Sequence, residues 1–421
     1  MTGEAGGARR CAVLGLAAVL SLTGCSRTRV TTAAPRWSPD LATLTVLGDT
    51  GVTDTIADGA LHRAFLVRQG PWAVHVLDID RAACWQPVAV KGASGAAGRN
   101  KTSSLTASLN TRGTSVAGGV NADFFLFDPP GVPTGAHVSR GGVVTGPGVR
   151  PAFAADSQGN PWIGMITVSG VAVSGQDSIP ITAWNRMAPA GLSWIDARYG
   201  TTVDTMTGAL RVVLAAQRGN VIDIDSTRTP TRIPSSGGVL VMGSRAPKPL
   251  RERLLLAARS RGRFDVAVSL HPIHPREAVG GFPILVRDSA EVPGLDSAGA
   301  PNFAPVRHPR TIVGVASGGR RLLLITIDGR QPGYSVGTTN RESAQVALAL
   351  GATEAINLDG GGSTAMVVAR RRGESTAFEL ANKPSDPQGE RPVGNALVVI
   401  RRSATNDQRP ASGQNPDRAC R

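Results

Sequence analysis

Asn357-Leu358-Asp359-Gly360-Gly361-Gly362-Ser363-Thr364 ends one apolar run and begins another, and the fold expected around it follows from how this stretch is read. Residues 354–358 form a short buried strand by their apolar pattern, and residues 364–368 form a second. Three consecutive glycines between two strands have two physical readings. Glycine takes positive φ at no steric cost, so the run can be a tight hairpin. Successive N–H groups in such a turn can equally form a concave nest for an anionic oxygen such as phosphate. With Asp359, Ser363 and Thr364 alongside, the stretch has the composition of a substrate site.

Working outward, residues 321–327 read as a buried strand that runs into Asp328-Gly329-Arg330. A helix over 340–350 follows. Thr339 and Glu342 make a capping-box pair, Val346 and Leu350 lie one turn apart, and Gly351 is placed to stop it. Strand, helix, strand is the order, with a right-handed crossover if the two strands pair in parallel. Asp328 and Asp359 then sit at carboxyl ends of strands, where open α/β sheets bind ligands. A further strand, 311–316, joins 321–327 through Ser317-Gly318-Gly319-Arg320. Placing Ala316 opposite Arg321 puts Arg310 opposite Ile327, beside Asp328 and Arg330. Two arginines and two aspartates at one sheet end suit a phosphodiester, because guanidinium forks match phosphate oxygens in bidentate fashion. The alternative is a surface Asp–Arg network of small energetic value.

The rest of the chain carries strand-length runs at 114–120, 162–168, 209–216, 238–242 and 264–270 between Gly/Pro punctuation, and one more helical stretch at 249–260. The expected class is α+β, a sheet-dominated mixed α/β domain over 60–402 with one β-hairpin/βαβ unit carrying the site. Asn121 and Asp123 end a strand ahead of Phe124-Phe125, which suits a site rim or a polar turn over core aromatics. His137 is a candidate proton donor or a structural residue. Trp184 and Trp194 would stack on a sugar or fill the core.

The amino terminus points to a compartment. Arg9-Arg10, an apolar run over 12–20 and the lipobox Leu22-Thr23-Gly24-Cys25 read as a lipoprotein signal peptide (1–24) followed by an acylated Cys25 and a tether (25–59). The expected location is the exported face of a bacterial membrane, in the cell envelope, with residues 403–421 as a disordered tail. Cys84 and Cys420 then either form a disulfide or remain thiols. The six histidines lack zinc-ligand spacing. A net charge of +14 favours anionic partners. No helix-turn-helix, finger or RNA-recognition pattern accompanies it, so nucleic acid is not an expected partner.

The run 357–368, with Arg310-Thr311 and Asp328-Gly329-Arg330 ahead of it, resembles the phosphodiester glycosidase family. Gly119-Val120-Asn121-Ala122-Asp123-Phe124-Phe125 is similar to the family's early Asn-Gly-Gly-Phe-Phe block, with Ala122-Asp123 in place of two glycines. Gly280-Gly281-Phe282-Pro283-Ile284-Leu285-Val286 resembles its middle block and Arg391-Pro392-Val393-Gly394-Asn395-Ala396-Leu397 its closing one. The resemblance spans roughly residues 60 to 402 and implies hydrolysis of a sugar-1-phosphodiester in a phosphate-linked glycan or glycolipid. On this reading Asp328, Asp359 and Asn357 are the catalytic set. Arg310, Arg330, Gly360, Gly361, Gly362, Ser363, Thr364, Asn121, Asp123 and Asn395 hold the substrate and its phosphate. No cofactor is required. Two other readings stand beside it: a metal-assisted phosphodiesterase with Ca²⁺ or Mg²⁺ on Asp328, Asp359 and Asn357, and a non-catalytic glycan-binding lipoprotein.

Overall fold

The hairpin of Arg310–Ala316 and Arg321–Ile327 has the register its turn implies, with Ala316 facing Arg321 and Arg310 facing Ile327. Ser317, Gly318 and Gly319 all take positive φ, as a short connection between twisted strands demands. The hairpin lies at the centre of an eight-stranded sheet. In spatial order its strands are Gly51–Ala57, Ala60–Val67, Trp72–Asp80, Arg321–Ile327, Arg310–Ala316, Ala352–Asn357, Ile284–Arg287 and Ala290–Glu291. The computed structural model describes residues 51–67, 71–203, 208–226, 230–260, 262–299, 305–373 and 375–402. The signal segment, Cys25, Cys420 and the tail expected from the sequence lie outside the described residues.

This arrangement corrects the expected fold class. Arg321–Ile327, helix Asn340–Ala349 and Ala352–Asn357 do follow one another in the chain. The two strands do not pair, because Arg310–Ala316 lies between them and is antiparallel to both. The hairpin occupies the edge that a βαβ unit would have needed. Strands account for 49% and helices for 12%, so the protein is mostly β rather than α+β. Helix Asn340–Ala349 has the expected Thr339–Glu342 capping box. It covers one face of the sheet beside Ala352–Asn357, while Leu322, Leu324, Val313 and Ile356 enter the core between sheets.

A five-stranded sheet packs on that core. Its order is Ser375–Leu380, Met366–Arg372, Thr114–Asn121, Asn395–Arg402 and Gln86–Lys91. It contributes Ala117, Val120, Met366, Val368, Leu397 and Val399. A second five-stranded sheet, including His137–Ser139, Ala152–Ala155 and Glu277–Gly280, closes the end of the core with Phe153 and Val279.

Seven further strands form a closed barrel, which the sequence reading did not anticipate, and Thr202–Val203 pairs with Thr231–Arg232 as a separate two-stranded sheet. The barrel closes where Thr167–Ser174 pairs with Arg263–His271, and helix Lys248–Ser260 buries Leu254, Ala257 and Ala258 against its core. The run read as one strand over 162–168 is divided between two sheets, Pro161–Gly164 in one and Thr167–Ser174 in the barrel. Trp194 is buried in the barrel core, and Trp184 packs there and donates from Nε1 to Asp196 Oδ2 at 3.0 Å. Among the described residues, no helix is long and apolar enough to cross a membrane.

Candidate active site

The glycine loop leaves Ala352–Asn357 at the end of the large sheet and is tied to two neighbouring segments at once. Leu358 N donates to Thr311 O at 2.7 Å, Asp359 N to Ala122 O at 2.8 Å and Gly361 N to Pro309 O at 2.9 Å. Asn121 is the joint. Its Nδ2 donates to Asp359 O at 2.7 Å, and its Oδ1 accepts from Thr311 Oγ1 at 2.7 Å and from Ala365 N at 3.0 Å. With the residue wholly buried, each of those bonds replaces one that water cannot supply.

Absence of a side chain matters most at Gly362. A Cβ there would lie 2.1 Å from Asp386 Oδ1 and 2.3 Å from Arg391 Nη2. The ion pair rests directly on the loop, with Arg391 Nε donating to Asp386 Oδ2 at 2.7 Å and Nη2 to Oδ1 at 3.0 Å. Beside it the Arg330 guanidinium covers Gly361, which has a φ of 64°. Arg330 is itself exposed, and its Nη2 lies 3.2 Å from His308 Nδ1.

Asp359 N donates to Ala122 O, next to Asp123, and the charge of Asp359 acts on the Asp123 carboxyl. Asp123 is 1% exposed and fits between Gly135 and Gly280, where its Oδ2 accepts from Gly135 N at 2.6 Å. Its N–H is held by Asn395 Oδ1 at 2.8 Å, and the Asn395 amide lies 3.0 Å from His137 Nδ1. Burial pushes the Asp123 carboxyl up to about 7, against the Gly135 N–H, Arg150 and Arg186, and the charge of Asp359 raises it further. Asp359 is half-buried and also lifted, to about 6, mainly by burial. The Ser363 hydroxyl, Arg391, the Gly360 N–H and Arg150 oppose that rise. Arg150 lies over the Phe124 ring at 4.5 Å and donates to Thr134 Oγ1 at 3.2 Å. The site therefore presents a carboxylate able to ionise near neutrality, a second that holds its proton slightly longer, and guanidinium groups on more than one side.

Other residues singled out from the sequence occupy the supporting layer. Asp328 is buried and accepts from Tyr334 Oη at 2.9 Å, Lys383 N at 2.9 Å and Asn382 Nδ2 at 2.8 Å. Arg310 is buried, and its Nε donates to Thr338 O at 3.0 Å. Asn357 Nδ2 donates to Phe282 O and Leu358 O, each at 2.7 Å. The loop's N–H groups are largely engaged within the protein: Gly360 N on Asp359, Gly361 N on Pro309 O and Ser363 N on Gly360 O. The Thr364 hydroxyl is buried with no hydrogen-bond partner. His137 is buried and its pKa falls to about 3, so it is neutral in ordinary buffers. Among the described residues, no three His, Cys, Asp or Glu side chains are grouped to hold a metal ion.

Arg150, Arg391, Asp386 and His308 were not among the site residues read from the sequence. Arg391 stands in a segment quoted for its family likeness, whereas Arg150 belongs to no motif. Only the tertiary structure brings it over Phe124.

Fold and site together define a mostly-β domain in which a glycine loop presents a carboxylate among arginines. Residues 211–400 match the family model described as phosphodiester glycosidase. Asp359, Arg330 and Arg391 fall inside the matched segment, while Asp123 and Arg150 precede it. The fold is similar to that of a hypothetical protein from Synechocystis, at 20% identity and a TM-score of 0.69 over 84% of this chain. This chain spans 64% of the length of that one. It is also similar to a candidate exported protein of Burkholderia pseudomallei K96243, at 28% identity and a TM-score of 0.61, covering 78% of this chain and 74% of the other. The catalytic domain of zebrafish N-acetylglucosamine-1-phosphodiester alpha-N-acetylglucosaminidase matches at 15% identity over 86% of this chain and 84% of that one, and at a TM-score of 0.42 it carries no argument. No curated protein matches the sequence.

Proposed function

We propose that this protein hydrolyses sugar-1-phosphodiesters by breaking the C1–O bond, releasing the sugar and leaving a phosphomonoester on the acceptor. The observation that carries this reading is the half-buried Asp359 carboxylate on a loop flanked by Arg150, Arg330 and Arg391. The guanidinium groups bind the phosphate and neutralise the charge that grows on it as C1–O breaks. A phosphomonoester has a second pKa of about 6, so it departs with little need of a proton once its charge is matched. Asp359, ionised above about 6, acts at C1 as nucleophile or as base toward water. Asp123, largely protonated up to about 7, keeps a second negative charge out of the pocket. Asp328, Arg310, Asn357, Asn121 and Asn395 position the loop in this reading. Ser363 and the buried Thr364 hydroxyl support its floor.

Hydrolysis in ¹⁸O-labelled water tests the bond that breaks. Label in the sugar is the expected result, and label in the phosphate would transfer the reaction to P–O cleavage. The same reading places the protein outside the cytoplasm, acylated on Cys25. The likeness to the Burkholderia protein supports export. Incorporation of labelled fatty acid into the wild-type chain but not Cys25→Ser checks the anchor.

A further inference from the structure

We infer that the acceptor on the phosphate of the substrate is a lipid, whose apolar chain lies on a lip formed by Leu126, Phe127 and Val149. The inference rests on the phosphodiester glycosidase reading above and names the substrate class for that site. Phe127 is 75% exposed, Leu126 43% and Val149 93%. Isolated apolar side chains on a surface need no explanation, but these belong to the two segments that carry Asp123 and Arg150. Leu126 and Phe127 follow Asp123 and Phe124, and Val149 precedes Arg150. The Arg150 guanidinium over the Phe124 ring joins the segments.

The first of these segments is a tied loop. Both its ends lie at the site, since Gly135 N donates to the Asp123 carboxylate, and Phe125 bridges Pro133. Its tip is closed by Leu126 N on Val132 O and Gly131 N on Leu126 O, each at 2.8 Å. Lys91 Nζ holds it from below through Gly131 O at 3.1 Å and Gly394 O at 2.6 Å. Within a loop so tied, the Phe127 ring still stands exposed, beside Phe125 at 5.7 Å between centroids. Arginines at the pocket and apolar tips one or two residues further out match an amphipathic anion: phosphate inside, alkyl chain over the lip. A glycan acceptor would meet hydrocarbon where it needs hydrogen bonds.

The test uses the full chain carrying Cys25→Ser, so that no acyl group of its own competes. Sugar-1-phosphodiesters with alkyl aglycones of increasing length are supplied below their micellar concentrations, and kcat/KM is compared with that of Leu126→Ser/Phe127→Ser. The expected result is a gain of up to about fourfold per methylene buried, lost in the double variant and largely restored by Phe127→Leu alone. A wild-type kcat/KM indifferent to chain length, with sugar still released, would overturn the lipid acceptor and leave the hydrolase standing. If no compound is cleaved, the reaction itself is refuted. Calorimetric titration with alkyl methyl phosphates then decides the lip separately: tighter binding with chain length in wild type alone supports it, and equal affinities remove it.

Discussion

Asp123→Asn removes one proton-binding group from the buried pair at almost constant volume, and its effect on stability can be worked from the structure. The amide oxygen can still accept from Gly135 N, which now lies 2.6 Å from Oδ2, and the amide NH₂ can face Thr134 Oγ1, 3.5 Å from Oδ1. The native Asp123 carboxyl ionises at about 7 against an ordinary 3.8. The folded state therefore holds a proton that the unfolded chain has already released. Its stabilising contribution is fully present below 3.8 and is lost as pH rises toward about 7. At about 1.4 kcal/mol per pKa unit, the share lost between pH 5 and pH 8 is ~3 kcal/mol. Asp359 and Glu277, raised to about 6 and about 7, add to the wild-type pH dependence, so the comparison must be made between wild type and variant. Urea denaturation at the two pH values should show the wild type losing ~3 kcal/mol more than Asp123→Asn on going from pH 5 to pH 8. Parallel losses in both proteins would refute the reasoning, because Asp123 would then already be ionised in the native state at pH 5. The same variant should lose the alkaline limb of the kcat/KM profile near 7 while keeping the acid limb near 6 set by Asp359.

Gly362→Ala must displace the Asp386–Arg391 pair, and loss of one charge-assisted phosphate contact should lower kcat/KM ~10- to 100-fold; an undiminished rate would take Arg391 out of the reaction. Asn121→Ala leaves Ala365 N–H, the Thr311 hydroxyl and the Asp359 carbonyl without their partner, a loss of ~3–5 kcal/mol by denaturant titration. A loss under ~1 kcal/mol would mean that water replaces the amide. Exhaustive chelation should leave turnover unchanged, since the Asp328 carboxylate is already engaged by Tyr334, Lys383 and Asn382. Activity abolished by chelator and restored by Ca²⁺ or Mg²⁺ would reverse that conclusion.

The legible parts of this protein share a physical character: each is fixed by residues close together in the chain. The Arg310–Ile327 register follows from a tight turn, since a slip of one residue would turn every side chain of a buried strand to the other face. The capping box at Thr339 and the stop at Gly351 are equally local. The family likeness was visible because short blocks such as Gly280-Gly281 and residues 357–368 keep their own chemistry wherever the chain takes them.

By itself, then, the sequence determined the hairpin, the helix beside it and the glycine loop with Asp359, and it carried the family likeness. Tertiary structure alone decided that Arg310–Ala316 separates the strands leading to Asp328 and Asp359, that seven other strands close into a barrel, and that Asp359 faces Asp123 and Arg150. The reason is the difference between the two kinds of contact. A turn or a cap is selected by torsional preferences and hydrogen bonds within a few residues. Pairing across long stretches of chain is selected by which apolar faces exclude water together, and many partners satisfy a strand's alternation equally well until the whole core is packed.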